Sequence, residues 1–164
     1  NSGREKILFF TILPNLPLLE VYFIMAKKIY FNNLQDNVVD MINTYRSCRN
    51  LTGSPVCGNN VTTMSYAYCY CSNIGNNAYF YSNVVSNVIG CFSGKNYYKR
   101  LNIYIPSDST TQTTCLYNNA SSLIGSTITW TDDMATNGCH YNTSYNIYIY
   151  PVADVAAARA TNGD

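Results

Sequence analysis

Ser65–Cys71 reads S-Y-A-Y-C-Y-C, a tyrosine at every second position with a small or thiol side chain between. A period of two is what a β-strand imposes, because successive side chains point to opposite faces of a sheet. The same pattern returns downstream. Ala78–Ser82 follows the turn-forming run S-N-I-G-N-N, so the two segments read as a hairpin, with Val84–Ile89 extending it past a bend. Tyr97–Ile105, Ile124–Thr131 and Tyr145–Tyr150 are further strands, the first stopped by Pro106 and the last by Pro151. Ser107–Thr114 reads as a polar loop and Asp132–Gly138 as a turn region.

Short strands separated by turn signals predict a mainly β fold, an antiparallel β-sandwich or jelly-roll-like domain. One helix precedes it. Asn33 is placed to cap a helix whose Leu34, Val38, Met41, Ile42 and Tyr45 form one apolar stripe. The expected organisation has four parts. Residues 1–24 are a leader, an anchor or untranslated upstream segment, and 25–49 are a short strand plus the amphipathic helix. The antiparallel β domain spans 50–152, and 153–164 form a flexible tail that adds a weak helical turn or stays disordered.

The first part has three readings. A basic start and apolar middle resemble a secretory signal, but Pro14, Pro17 and Glu20 interrupt it, and they argue more strongly against a spanning helix. The preferred reading takes Met25, in M-A-K-K-I-Y-F, as the biological start, since Leu19-Glu20-Val21 can be encoded by a ribosome-binding sequence. A structured arm is the third.

Charge narrows the function. Net charge is +1 with 12% charged residues, and between Asn50 and Thr131 the only charged side chains are Lys95, Lys99, Arg100 and Asp108. Such a surface lacks the basic footprint of a nucleic-acid binder. Gly-rich phosphate loops and dinucleotide fingerprints are absent. The four N-x-[ST] sequons at Asn50, Asn60, Asn119 and Asn142 match what so much Asn, Ser and Thr produces by chance.

Catalytic constellations are also missing. Cys69-x-Cys71 is not the C-x-x-C knuckle of a zinc site, so no metal or cofactor is expected. The only histidine, His140, directly follows Cys139, and neighbours in an extended segment point apart. Asp132–Asp133 reads as a turn rather than a glycosidase pair. The cysteines Cys48, Cys57, Cys69, Cys71, Cys91, Cys115 and Cys139 are instead candidates for disulfides, with Cys48–Cys57 the best local pair. A faint echo links N-I-Y-I-P at Asn102–Pro106 with N-I-Y-I-Y-P at Asn146–Pro151.

What remains is surface. Sixteen tyrosines supply rigid, amphipathic contact area. Tyr66, Tyr68, Tyr70, Tyr104, Tyr148 and Tyr150 are the candidate interface. These features predict a non-enzymatic structural or assembly protein, a bacteriophage virion accessory or fibre-type component, located in a virion or at a cell surface. Its partners would be copies of itself or other structural subunits, with no nucleic acid and no membrane unless residues 1–24 anchor it. The alternative is a secreted or surface-displayed glycan-binding adhesion module.

Overall fold

Scarce charge and abundant small polar residues let this chain coil tightly upon itself. A computed structural model describes residues 38–118 and 122–164. The backbone N–H groups of Met41, Asn43, Tyr45 and Ser47 donate to the carbonyls of Thr63, Ser65, Ala67 and Cys69 at 2.7–3.0 Å. Those of Met64, Tyr66, Tyr68 and Tyr70 donate in turn to Asn87, Ile89, Cys91 and Ser93 at 2.7–2.9 Å. Gly90 and Phe92 continue to Ser122 and Leu123. The intervening N–H groups turn back three residues, as in Ala67 to Met64, Cys69 to Tyr66 and Cys71 to Tyr68. Each layer is thus a run of tight turns stacked on the next, and bridges Asp40–Thr63 and Thr63–Asn87 set the spacing at 23 and 24 residues. This is the geometry of a short solenoid, in which each unit buries its apolar side only against its neighbours.

Two expectations change here. Of the helix predicted from Asn33, residues 33–37 lie outside the described residues, as do 1–24 and the strand expected near Ile29. Over Val38–Tyr45 the chain is not helical: its alternate N–H groups reach across to the next coil instead of back four residues. Apolar residues at helical spacing fit equally well a turn ladder that points a side chain inward about every fourth position. Ser65–Cys71 is likewise not a strand, nor half of a hairpin. Positive φ at Tyr66 (54°) and Tyr70 (59°) curls the backbone twice. The same bends recur one coil earlier at Asn43 and Ser47, and one coil later at Gly90 and Gly94. Glycine is demanded at the last two places: a Cβ on Gly90 would lie 2.5 Å from the Tyr66 ring, and one on Gly94 2.3 Å from the Tyr70 ring.

Equivalent residues form buried columns. Met41, Met64 and Val88 make one. Tyr68 and Phe92 make another, extended by half-buried Tyr45, with the rings stacked at 5.2 and 5.7 Å between centroids. Tyr68 is fully buried, and its hydroxyl donates to the Val56 carbonyl at 3.0 Å.

Strands line one side of the coils. Val56–Cys57 (β1), Asn77–Phe80 (β2), Leu101–Pro106 (β3), Thr131–Asp133 (β4), Cys139–Asn142 (β5) and Ile147–Val152 (β6) form one six-stranded mixed sheet ordered β1-β2-β3-β6-β5-β4. The mainly β expectation therefore holds, as a single sheet over a turn-built core. The antiparallel expectation fits only β4–β5 and β5–β6; β1–β2, β2–β3 and β3–β6 run parallel. The physical reason is the coil, which returns the chain to the same side in the same direction after each circuit. The echoed segments are neighbours in this sheet, with Ile103 opposite Ile149 and Tyr104 opposite Tyr150.

Three helices are present among the described residues. Thr110–Leu116 (α1) occupies the expected polar loop; Ser109 caps it by accepting from the Gln112 N–H at 3.1 Å. Met134–Asn137 (α2) is a single turn ended by left-handed Gly138. Val155–Asn162 (α3), capped by Asp154, is what the tail forms. None of the described helices is long and apolar enough to cross a membrane.

Candidate functional site

The sheet has an inner and an outer face. Inward go Ala78 and Phe80, Leu101, Ile103 and Ile105, Ile147 and Ile149, all buried. Outward go two rows that run across the strands. Asn77, Asn102, Tyr148, Tyr141 and Thr131 follow one another in register in the first. Val56, Tyr79, Tyr104 and Tyr150 form the second, which Cys139 and Asp133 extend on β5 and β4; within it Val56, Tyr79 and Cys139 are buried, and α3 packs against β2 and β3 at the Tyr79 end.

The tyrosines stack face to face. Tyr79 and Tyr104 lie 5.3 Å apart, Tyr104 and Tyr150 5.1 Å, and Tyr148 and Tyr141 5.5 Å, with planes within 22°. Tyr104 is sandwiched by neighbours on both strands. Arg100 lays its guanidinium 3.6 Å over the Tyr148 ring, and Arg159 of α3 lies over Tyr79. This packing leaves ring edges and hydroxyls to face outward. The hydroxyls of Tyr104, Tyr141 and Tyr148 have no hydrogen-bonding partner among the described residues.

Two polar clusters interrupt the rows. At one end, the Asp164 carboxylate accepts from the Tyr79 hydroxyl at 2.6 Å and from the Asn77 amide at 2.7 Å, while Asn162 donates to the same hydroxyl. Partial burial pushes Asp164 up. Hydrogen bonds from Tyr79, Asn77 and Ser54 and the charge of Arg159 outweigh that and hold it below the ordinary carboxylate value. Further along, Arg100 donates from Nε to Asn102 Oδ1 and from Nη2 to the Tyr150 hydroxyl, both at 2.6 Å. Asn102 in turn donates to Asn77 at 3.0 Å. Burial raises the Tyr150 phenol, which Arg100 partly offsets.

Of the six tyrosines expected at an interface, the structure brings together Tyr104, Tyr148 and Tyr150. Tyr66 and Tyr70, 37% and 48% exposed, lie on the turn side of the coils over Gly90 and Gly94. Tyr68 is in the core. Tyr79, Tyr141, Asn77, Asn102 and Arg100 belong to the face although sequence reasoning did not select them. The signal was available: apolar–Tyr–apolar recurs at Ala78–Phe80, Ile103–Ile105 and Ile147–Ile149.

No disulfide joins the candidate cysteines in this structure. All seven cysteines are free thiols, six of them buried. Cys48 closes a turn ladder whereas Cys57 sits in β1, so the expected local pair is split between two parts of its coil. Cys71 donates its S–H to the Tyr45 carbonyl at 2.9 Å. Burial pushes Cys57 and Cys71 up to about 12, which keeps them as protonated small hydrophobes. Among the described residues no cluster of His, Cys, Asp or Glu is arranged to hold a metal. His140 sits 3.7 Å from Asp132 and meets the edge of Tyr117, while its neighbour Cys139 turns to Tyr150 on the other face.

Compared with protein-family models, curated proteins and solved structures, the chain finds no match.

Proposed function

We propose that this is a non-enzymatic assembly protein whose outer sheet face docks onto copies of itself or onto other structural subunits of a particle or surface assembly. The observation that carries this reading is the stacked tyrosine rows. Their rings occupy one another's faces, so what they offer a partner is a fixed line of hydroxyls and edges. A flat hydrogen-bonding surface with few charges loses little on desolvation and fits another protein's polar backbone or side chains. Sugar recognition by aromatic residues stacks a ring face on the pyranose, and these faces are taken, which weighs against the glycan-binding alternative. A virion accessory or fibre-type component is the setting in which such a surface is most at home.

The test removes hydroxyls without removing rings. Light scattering with size exclusion, from tens of nanomolar to tens of micromolar, should show mass rising with concentration. Tyr104→Phe with Tyr141→Phe should shift that association to higher concentration by about thirtyfold at an unchanged melting temperature, because two lost hydrogen bonds at about 1 kcal/mol each amount to about 2 kcal/mol. A strict monomer that binds glycans would overturn the assembly reading.

A further inference from the structure

The outer face brings an asparagine, a tyrosine hydroxyl and an arginine over a tyrosine ring together twice, once around an acid and once without one. In the filled copy, an asparagine amide (Asn77), a tyrosine hydroxyl (Tyr79) and an arginine over a tyrosine ring (Arg159 on Tyr79) surround a carboxylate, Asp164. In the open copy, Asn102, Tyr150 and Arg100 over Tyr148 gather the same residue types without the acid, but here Asn102 and Tyr150 accept from Arg100, where Asn77 and Tyr79 donate to Asp164. The two are linked directly by the Asn102–Asn77 hydrogen bond.

Among the described residues, Arg100 is held by neutral groups alone. Asn102 and Tyr150 take two of its N–H groups, the Tyr148 ring supports its plane, and no described group accepts from its Nη1 edge. It has no carboxylate partner among the described residues. The other bases nearby in sequence, Lys95 and Lys99, add positive charge, and the only acid between Asn50 and Thr131 is Asp108. Asp133, at the far end of the tyrosine row, accepts from Asn137. A guanidinium fixed in plane with a free donor edge is preorganised for a carboxylate, since the ordering of its side chain has already been met on folding.

We propose that Arg100 is the specificity contact of the docking face and takes a carboxylate from an acidic segment of a protein partner. This rests on the assembly reading. It assigns the partner's chemistry: an acidic side chain, approaching over β3 and β6, that accepts from the Nη1 edge of Arg100. Charge complementarity selects an acidic partner, and the occupied ring faces select a peptide over a uronate-bearing saccharide.

The probe is a fluorescein-labelled deca-glutamate peptide, with deca-lysine and an oligogalacturonate of similar charge as comparisons. Wild-type protein should bind the glutamate peptide, and the arginine Nε–Hε resonance assigned to Arg100 should move on titration. Arg100→Gln should weaken binding about tenfold or more, because a charge-assisted bidentate contact is lost. Arg100→Lys, which keeps the charge but not the fork, should lose part of that, and Lys99→Gln less than about threefold. Melting temperatures establish that the variants are folded, and the resonance shift reads the wild type directly should Arg100→Gln unfold. Equal binding by Arg100→Gln and wild type, a stationary resonance, or tighter binding of the oligogalacturonate would overturn the proposal. Loss of peptide binding together with intact, hydroxyl-dependent self-association would reject the carboxylate contact and leave the assembly reading standing.

Discussion

Lys95 occupies the place in the third coil that Cys48 and Cys71 hold in the first two, at the end of the turn ladder. It is 95% buried by this position, with 5% of its surface exposed, and its ammonium donates to the carbonyls of Lys99 at 2.8 Å and Asn96 at 3.3 Å. Those oxygens orient it, and Tyr97 lies beneath it, but burial dominates and lowers the ammonium from 10.5 to about 8. The folded protein therefore releases a proton before the unfolded chain does. Between about pH 8 and 10.5 the unfolded state binds more protons, so stability from this group rises with pH across that window and is lowest below it. Lys95→Met should abolish the rise. Thermal melts of both proteins from pH 7 to 9.5 check this: the gap between wild type and variant should move in favour of wild type as pH climbs past 8. The buried tyrosines and thiols are common to both proteins and largely cancel in that gap. A constant gap would mean that Lys95 titrates as an ordinary surface lysine. None of this was legible in the sequence, where Lys95 stands just before the strand expected from Tyr97 and nothing marks it as interior.

Among the elements, α1 shows how local signals can be present and still be missed. Thr110–Leu116 is poor in helix formers and reads as loop, yet Ser109 and Gln112 stand at capping-box spacing. Ser109 accepts from the Gln112 N–H and donates to the Pro106 carbonyl at 2.7 Å, and Gln112 reaches back to the Asp108 N–H. A seven-residue helix with weak propensity depends on such bonds and on its buried Thr111, Thr114, Cys115 and Leu116. Ser109→Ala should cost about 1–2 kcal/mol in urea unfolding, with an unchanged m-value if only the cap is lost. Two later strands were legible in part from their alternation, Leu101–Ile105 and Ile147–Tyr150, but both run on through the prolines expected to stop them, and of Ile124–Thr131 only Thr131 is in a strand. The turn ladders were not. Apolar residues at Val38, Met41 and Tyr45 satisfy a helix period, and S-Y-A-Y-C-Y-C satisfies a strand period. Only the contact between coils, a long-range fact, selects neither. The tyrosine face was half legible for the same reason: Tyr104, Tyr148 and Tyr150 lie on recognisable strands, whereas Tyr66 and Tyr68 were assigned to a strand that does not exist.

For the molecule as a whole, the stacked coils make burial collective. Cys57, Cys71, Cys91 and Cys115 share one continuous core, Cys69 and Cys139 are buried outside it, and Cys48 is the one thiol with partial access. Native protein treated with iodoacetamide should therefore modify Cys48 first and slowly, since burial raises its thiol too. The remaining six should react together only when the fold opens, in denaturant titration a single step rather than a graded series. Mass spectrometry of alkylated species counts them. A native population with several thiols modified independently would show that the coils open one at a time. A mass lower than the reduced chain would show that disulfides form after all.

The spacing between coils carries a consequence for how such a chain changes over time. Asn37-Val38, Asn60-Val61 and Asn83-Val84 recur at intervals of 23 residues, yet the buried valine of the third coil is Val85, because Val84 has turned out to solvent. One extra residue has entered between strand and turn, and the corner has absorbed it without disturbing the columns on either side. Corners of this kind separate two sorts of inheritance. Whole coils can be duplicated or lost as units, while single insertions accumulate where the chain rounds the bend. Lineages descended from a common ancestor would then differ more in length than in cross-section.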